Sequence, residues 1–438
     1  MTSSPVSLLA AALLTALVAR AQITDTADGV VAGIPVNYTE AKTGSYTLPD
    51  VLTCADGTKV ADAQAWSAKR RPEILKLIEE NEYGRAPGRP EKMSFDVFDQ
   101  GTPAFDGKAL RKQVTIYFGA DKSDNYLDLL VYLPAEAKGP VPVLLNFGWV
   151  ANNLAVADPG VKVGRSWNPS QKKRVPATPA PGGRGFGRVT NIPQVLARGY
   201  GFAVFNYSDV DPDALNALDQ GVRRLYLKPG ATACAPDEWG SIAAWAWAAS
   251  RVLDYFETDP QVDAKRVAVT GASRLGKTAL WTGARDPRFA CVIASVSGEG
   301  GAALSRRDYG ETVAHLVEKT RFPYQFAINY AQWANRANEA PFDAHFVIAL
   351  LAPRPLLLQT GSTDKWSDPY GEFLAAKAAT PVYHLFGEKG IEEYSLPPAG
   401  QPMMNDLGYL MHEGPHGVQP ADWPVFLDFL DQHLKPKP

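Results

Sequence analysis

The sequence predicts an α/β domain: a mostly parallel central sheet with helices on both faces. Two observations carry the prediction. Short runs rich in β-branched and aromatic residues, bounded by Gly and Pro, read as buried strands. From Asp237 onward these runs alternate with stretches of helical length, which is the pattern of parallel strands joined by crossover helices. Composition agrees: 45% hydrophobic and 21% charged residues over 438 positions suit one large globular domain.

Residues 22 to 70 are polar and rich in turn formers, and are expected to form an extended arm wrapping the domain. "WSAKRRPEILKLIEENEYG" then reads as a helix ending at Gly84. The runs "RKQVTIYFG", "LDLLVYLP", "VPVLLNFG" and "GFAVFNYSDV" are expected strands. After them come helix "EWGSIAAWAWAASRVLDYFE", strand "RVAVTGAS", a helix from Arg274 and strand "ACVIASVSG". The remainder is read as strand "RPLLLQTG", helix "PYGEFLAAKAA", strand "VYHLFG" and a terminal helix "WPVFLDFLDQHL". No internal repeat or interdomain linker interrupts the series, so residues 22–438 are expected to form a single catalytic domain. Residues 164–188 break the pattern: they carry six Lys or Arg and no acid, and their Pro and Gly content argues against regular structure. This insertion is either a solvated mobile loop or a segment beside the active site that meets an acidic polymer.

Residues 1–21 read as an export leader, with "VSLLAAALLTALVA" followed by "ARA" as a small-x-small cleavage site before Gln22. The mature chain is therefore expected outside the cytoplasm, secreted or periplasmic, with no stable membrane insertion. A formal charge of −3 argues against nucleic acid as a partner. Three cysteines, Cys54, Cys234 and Cys291, permit at most one disulfide and lack the spacing of a zinc site; Cys291 lies in an apolar run and reads as buried and free.

The chemistry centres on "VTGASRLGKTALW", residues 269–281. A hydroxyl is a poor nucleophile until a base takes its proton, so a serine enzyme needs a histidine and a group to orient it. Ser273 directly follows an expected strand and opens a helix, the place of the nucleophile in the α/β-hydrolase fold, where the order is Ser, acid, His. The alternative is a serine acting only as a helix N-cap. Of six histidines, His416 occupies the Gly/Pro loop of "LMHEGPHGV" before the last helix, where the fold expects its base, whereas His412 still belongs to the strand. Two acids remain open on these grounds: Asp364 in "QTGSTDKWSDP" and Glu299 in "SVSGEGGAAL".

Together "GASRLGK", "SGEGGAALSRR", "GET", "VIALLAPRPLL" and "EGPHG" resemble the glucuronoyl esterases, carbohydrate esterase family fifteen, and the bacterial members above all, from about Asn125 to the C-terminus. The resemblance implies an α/β-hydrolase fold and cleavage of esters that join the carboxyl of (4-O-methyl-)glucuronic acid on xylan to lignin alcohols. It implies that Arg274 helps form the oxyanion hole, that Lys277 and Glu311 bind the sugar, and that Trp366 lies beside it. Many members place the acid immediately before Ser-Gly, where this chain has Val296. Others use an Asp after the following strand, which is Asp364, so the resemblance selects Asp364 over Glu299. The expected enzyme is a serine esterase working through an acyl-enzyme, without metal or organic cofactor and as a monomer, on glucuronoxylan and lignin-carbohydrate esters. The alternatives are another carbohydrate ester hydrolase, such as an acetyl xylan esterase, or a carbohydrate-binding protein on an inactive hydrolase scaffold.

Overall fold

The computed structural model describes residues 23–122, 125–179 and 187–435. The expected leader, and residues 180–186 of the insertion, lie outside the described residues. Nine strands form the central sheet: β1 (Ser94–Ala104), β2 (Ala109–Tyr117), β3 (Tyr126–Pro134), β4 (Val141–Gly148), β5 (Gly201–Asn206), β6 (Val262–Ala272), β7 (Cys291–Ser295), β8 (Leu356–Gly361) and β9 (Leu407–His412). Their spatial order is β9-β8-β7-β6-β4-β5-β3-β2-β1. The six strands from β9 to β5 run parallel, and β3, β2 and β1 continue the sheet antiparallel.

Both faces of the sheet are covered, so its central strands read as unbroken apolar runs rather than alternating ones. Within β4, Val143 and Leu145 join the core with Trp245 and Ala279, while the intervening Leu144 joins the opposite core with Val195 and Phe429. The first face carries α1 (Ser241–Phe256), α2 (Arg274–Arg285), α3 (Ala344–Ala349) and α4 (Pro369–Leu385); the second carries α5 (Asp422–Leu434) and the short helix Ile192–Ala197. Every residue of α1 is buried, and its alanines let it lie close to the sheet. Cys54, Cys234 and Cys291 are all free thiols.

Two expectations need correction, and one strand has no counterpart in the sequence reading. "VYHLFG" is no strand: Val382 to Leu385 complete α4, which continues through Pro381, and His384 is therefore helical. Buried Glu372, Ala375, Ala376, Ala379 and Tyr383 keep the helical spacing across the proline, so period outweighs the local β-branched and aromatic content. Regular structure does form in the insertion, as Arg165–Asn168 pairs antiparallel with Lys173–Pro176. Charge there is absorbed by the body: Arg174 donates to the carbonyls of Ser208 and Asp209, and Arg165 stacks on Tyr126 at 3.6 Å. β1 is not legible in the sequence because Asp, Gly and Pro break up an edge strand of which only Asp99 is buried.

The N-terminal arm is tied down rather than loose. Arg307, 2% exposed at its side chain, donates to Asp368 at 2.8 Å and to Glu40 at 2.7 Å. The amide of Gly310 donates to the Asn37 carbonyl at 2.9 Å, and Asn37 Nδ2 donates to the Asp308 carbonyl at 3.1 Å. Removing one partner from a buried ion pair strands the other, at a cost of about 3 kcal/mol or more. Arg307→Ala should therefore lower the unfolding free energy by about 3 kcal/mol, read as a lower urea midpoint. A midpoint within error of the wild type would mean that the clamp contributes nothing.

Candidate active site

Ser273 occupies the turn between β6 and α2 with φ 58° and ψ −128°, backbone angles that a side-chain-bearing residue rarely adopts. The turn is held from three sides. Its amide donates to the Ser295 carbonyl of β7 at 2.9 Å, and its own carbonyl accepts from the amides of Gly276 (2.8 Å) and Lys277 (3.0 Å). A Cβ on Gly271 would lie 2.2 Å from the Leu275 carbonyl oxygen, and one on Gly276 would lie 2.4 Å from that of Ser295. The second glycine thus comes one place later than in the usual nucleophile motif because it is where the helix touches the neighbouring strand. Ser273 stands at the N-cap position, yet its side chain makes no capping bond, so the helix does not engage the hydroxyl.

The loops after β8 and β9 bring the acid and the imidazole together. His416 Nδ1 lies 2.6 Å from Asp364 Oδ2 and 3.2 Å from Ser367 Oγ; Asp364 is buried, while the His416 side chain is 42% exposed. Glu299 is turned elsewhere. Its carboxyl accepts from Ser305 Oγ (2.6 Å) and Tyr330 OH (3.2 Å), and burial pushes it well above the ordinary carboxyl range. Val296, at φ 42°, lines the cleft where many relatives were expected to carry a glutamate. His412 lies in β9, its Nδ1 2.9 Å from Asp422 and its Nε2 3.0 Å from the Pro415 carbonyl, bracing the loop that presents His416.

Ser273 and His416 line a cleft of about 310 Å³ together with Arg274, Lys277, Glu311 and Trp366. Every expected site residue is therefore in one place. Arg274 pairs with Asp213 and lies 4.6 Å over the Phe322 ring. Asp213 also accepts from Tyr207 OH (2.7 Å), Tyr324 OH (2.7 Å) and Gln325 Nε2 (2.8 Å), so the anchor of the guanidinium is itself held by three donors. Lys277 is buried and donates to the Ser297 carbonyl at 2.6 Å; burial pulls its ammonium below the usual range, against the opposing field of Glu311 3.8 Å away. Glu311 accepts from Arg321 at 2.7 Å, and its amide donates to the Trp366 carbonyl at 2.9 Å, which joins the two loops. Sequence reasoning missed Asp213 and Arg321. Asp213 is one of several aspartates in an irregular stretch, and nothing local distinguishes it. Among the described residues no cluster of His, Cys, Asp and Glu is arranged to hold a metal ion.

A sharp strand-to-helix turn bearing serine, followed along the sheet by a carboxylate and an imidazole at strand ends, defines an α/β-hydrolase. A family model described as "Glucuronyl esterase, fungi" matches residues 194–387. A carbohydrate esterase designated MZ0003, from an unknown prokaryotic organism, is 42% identical over 91% of this chain and 92% of its own length. The solved glucuronoyl esterase from Solibacter usitatus superposes with a TM-score of 0.85 at 44% identity, covering 90% of this chain and all of that one. A solved structure described as a promiscuous CE15 esterase from a marine bacterial metagenome gives a TM-score of 0.82 at 40% identity, over 91% of this chain and all of the other. The chain belongs to the glucuronoyl esterase family, carbohydrate esterase family 15, and is a carboxylic ester hydrolase.

Beneath the cleft, Glu372 is fully buried; its Oε1 accepts from the Gly298 amide at 2.6 Å and from Ser297 Oγ at 3.2 Å, fixing the loop whose carbonyl holds Lys277. Burial pushes this carboxyl up to about 8, and that of buried Glu82 likewise to about 8. Each binds a proton in the fold that it has lost in the unfolded chain above the ordinary carboxyl value. The stability each contributes is thus complete below about pH 4.5 and is lost as pH rises towards about 8. Glu372→Gln, which keeps the accepting oxygen, should show a smaller fall in Tm than the wild type between about pH 5 and about pH 8. Parallel curves would exclude a protonated Glu372 in the fold.

Proposed function

We propose that the chain is a secreted serine esterase that hydrolyses esters between (4-O-methyl-)glucuronic acid on xylan and lignin alcohols, by way of an acyl-enzyme. The observation that carries this reading is a single cleft in which Ser273 and His416 stand beside Arg274, Lys277 and Glu311. His416 takes the proton of Ser273 as its oxygen attacks the uronate carbonyl, and Asp364 at Nδ1 fixes the tautomer and stabilises the imidazolium. The tetrahedral oxyanion is met by the Arg274 amide at the start of α2 and by its guanidinium, which Asp213 positions; one such donor contributes about 3 kcal/mol in the transition state. His416 then protonates the departing alcohol and activates water for deacylation.

Substrate choice rests on the far end of the cleft. Lys277, Glu311 and Arg321 offer charged donors and acceptors for sugar hydroxyls, and Trp366 offers an amphipathic face. Relatives named 4-O-methyl-glucuronoyl methylesterase, such as that of Wolfiporia cocos at 28% identity over 78% of this chain and 72% of its own, support the same substrate class. Secretion is supported by the leader-like residues 1–21. All the groups invoked come from one chain, so the reading requires no second copy.

The test is turnover of a methyl glucuronate ester against acetylated xylan by the purified protein. The reading expects hydrolysis of the first, with little on the second; the reverse would make it an acetyl esterase, and neither would indicate a binding protein. Within that assay, Ser273→Ala should abolish activity. Asp364→Asn should reduce kcat by about four orders of magnitude, the size of the effect in serine proteases, and Glu299→Gln should be mild. A greater loss from Glu299→Gln than from Asp364→Asn would move the acid into the glycine loop.

A further inference from the structure

The imidazole is less enclosed than the acid that orients it. The His416 side chain is exposed, whereas Asp364 is buried. Packing does not hold a ring with so much open surface, and one hydrogen bond at Nδ1 leaves it free to swing about that bond. A second polar group stands on the same nitrogen: Ser367 Oγ lies 3.2 Å from Nδ1, beside Asp364 Oδ2 at 2.6 Å. The mechanism set out above makes no use of this hydroxyl, although Ser367 lines the cleft with Ser273 and His416.

The serine is presented by a rigid wall. It is buried and closes the single turn Lys365–Ser367. Its amide donates to the Asp364 carbonyl at 3.2 Å, and the carbonyl before it, that of Trp366, accepts from the Glu311 amide at 2.9 Å. The residue after it, Asp368, is held by Arg307 at 2.8 Å. Behind the turn, a Cβ on Gly310 would lie 2.4 Å from the Lys365 carbonyl oxygen. In front, a Cβ on Gly298 would lie 3.2 Å from Ser367 Cα and 3.4 Å from its Oγ, so the glycine loop closes over the serine. Backbone bonds, an ion pair and two close glycine contacts therefore fix where the hydroxyl stands.

To take a proton from Ser273, His416 needs its own proton on Nδ1 and a lone pair on Nε2. In that tautomer an oxygen beside Nδ1 accepts, so Asp364 and Ser367 share one N–H, the carboxylate holding the greater part. As Ser273 loses its proton the ring becomes an imidazolium and that N–H grows more positive. Two oxygens on it stabilise the charge more than one does, and together they fix the plane of the ring. Two other neighbours contribute nothing there: Val296 brings only methyl groups to the cleft, and Glu299 is turned to Ser305 and Tyr330. We propose that Ser367 is a positioning residue for ester hydrolysis, its hydroxyl serving as the second acceptor that orients His416 through Nδ1. The proposal rests on the esterase reading above, through its triad and not through its sugar.

The experiment measures kcat and KM for the wild type, Ser367→Ala, Ser367→Cys and Ser367→Thr on a methyl glucuronate ester and on a simple aryl acetate. Ser367→Ala should lower kcat about fivefold with KM unchanged, the effect of losing one hydrogen bond to the ring, and by the same factor on both esters. Ser367→Cys keeps the size but offers a poor acceptor; it should match the alanine variant, and it serves if that variant does not fold. Ser367→Thr keeps the hydroxyl and should stay within about twofold of the wild type. A wild-type kcat in the alanine and cysteine variants overturns the proposal, as does a loss that threonine does not restore or one that resides in KM. So does a loss confined to the glucuronate ester, which would make Ser367 a sugar contact. If the wild type hydrolyses the aryl acetate and not the glucuronate ester, the uronate reading fails instead, and the same four proteins still decide the role of Ser367 on the acetate.

Discussion

The left-handed backbone at Ser273 is the constraint on which the rest of the site depends. A residue with a side chain at φ 58° costs of order 1–3 kcal/mol, and it persists only where its surroundings leave no alternative. Here β7 supplies the carbonyl that receives the Ser273 amide, and α2 begins so close to that strand that Gly276 admits no Cβ. The same close approach sets the direction of α2. That direction decides where Arg274 and Lys277 project, about one turn of helix apart on the wall of the cleft. The spelling Gly-Ala-Ser-Arg-Leu-Gly-Lys is thus one geometric solution rather than a set of independent functional residues.

Charge in the cleft is held by pairing rather than by solvation. Arg274 is fixed by Asp213, Lys277 by the Ser297 carbonyl and Glu311, and Glu311 by Arg321. Such groups are already oriented when a substrate arrives, so little reorganisation is needed as charge develops. Supporting groups extend the pattern outward. Glu372 secures the loop under Lys277, and His412 secures the loop before His416. The arm, through Glu40 and Arg307, secures the loop that carries Trp366 and Asp364.

How much of this was legible in the sequence depends on how local each signal is. Ser273, His416 and the parallel half of the sheet were readable because each is written in a contiguous stretch. The choice of Asp364 over Glu299 was not decided by spacing; it came from the resemblance, since Val296 stands where many relatives carry the acid. Geometry supplies the reason that spacing could not: Glu299 bends away to Ser305 and Tyr330. Asp213 lies 61 residues from Arg274, so its place as the guanidinium's anchor exists only once the chain is folded. The misread "VYHLFG" failed for a related reason. Its composition favours a strand, but the helical spacing that governs it begins ten residues earlier, at Glu372.

The central claim, that Ser273 carries the acyl group, is tested most directly by trapping that group. In a His416→Ala variant mixed with an activated uronate ester, deacylation should be slowed, and a uronoyl adduct should appear by mass spectrometry on the peptide containing Ser273. An adduct on another residue would contradict the account. So would full esterase activity in wild-type protein whose Ser273 has been phosphonylated by a fluorophosphonate, with fluoride as the leaving group.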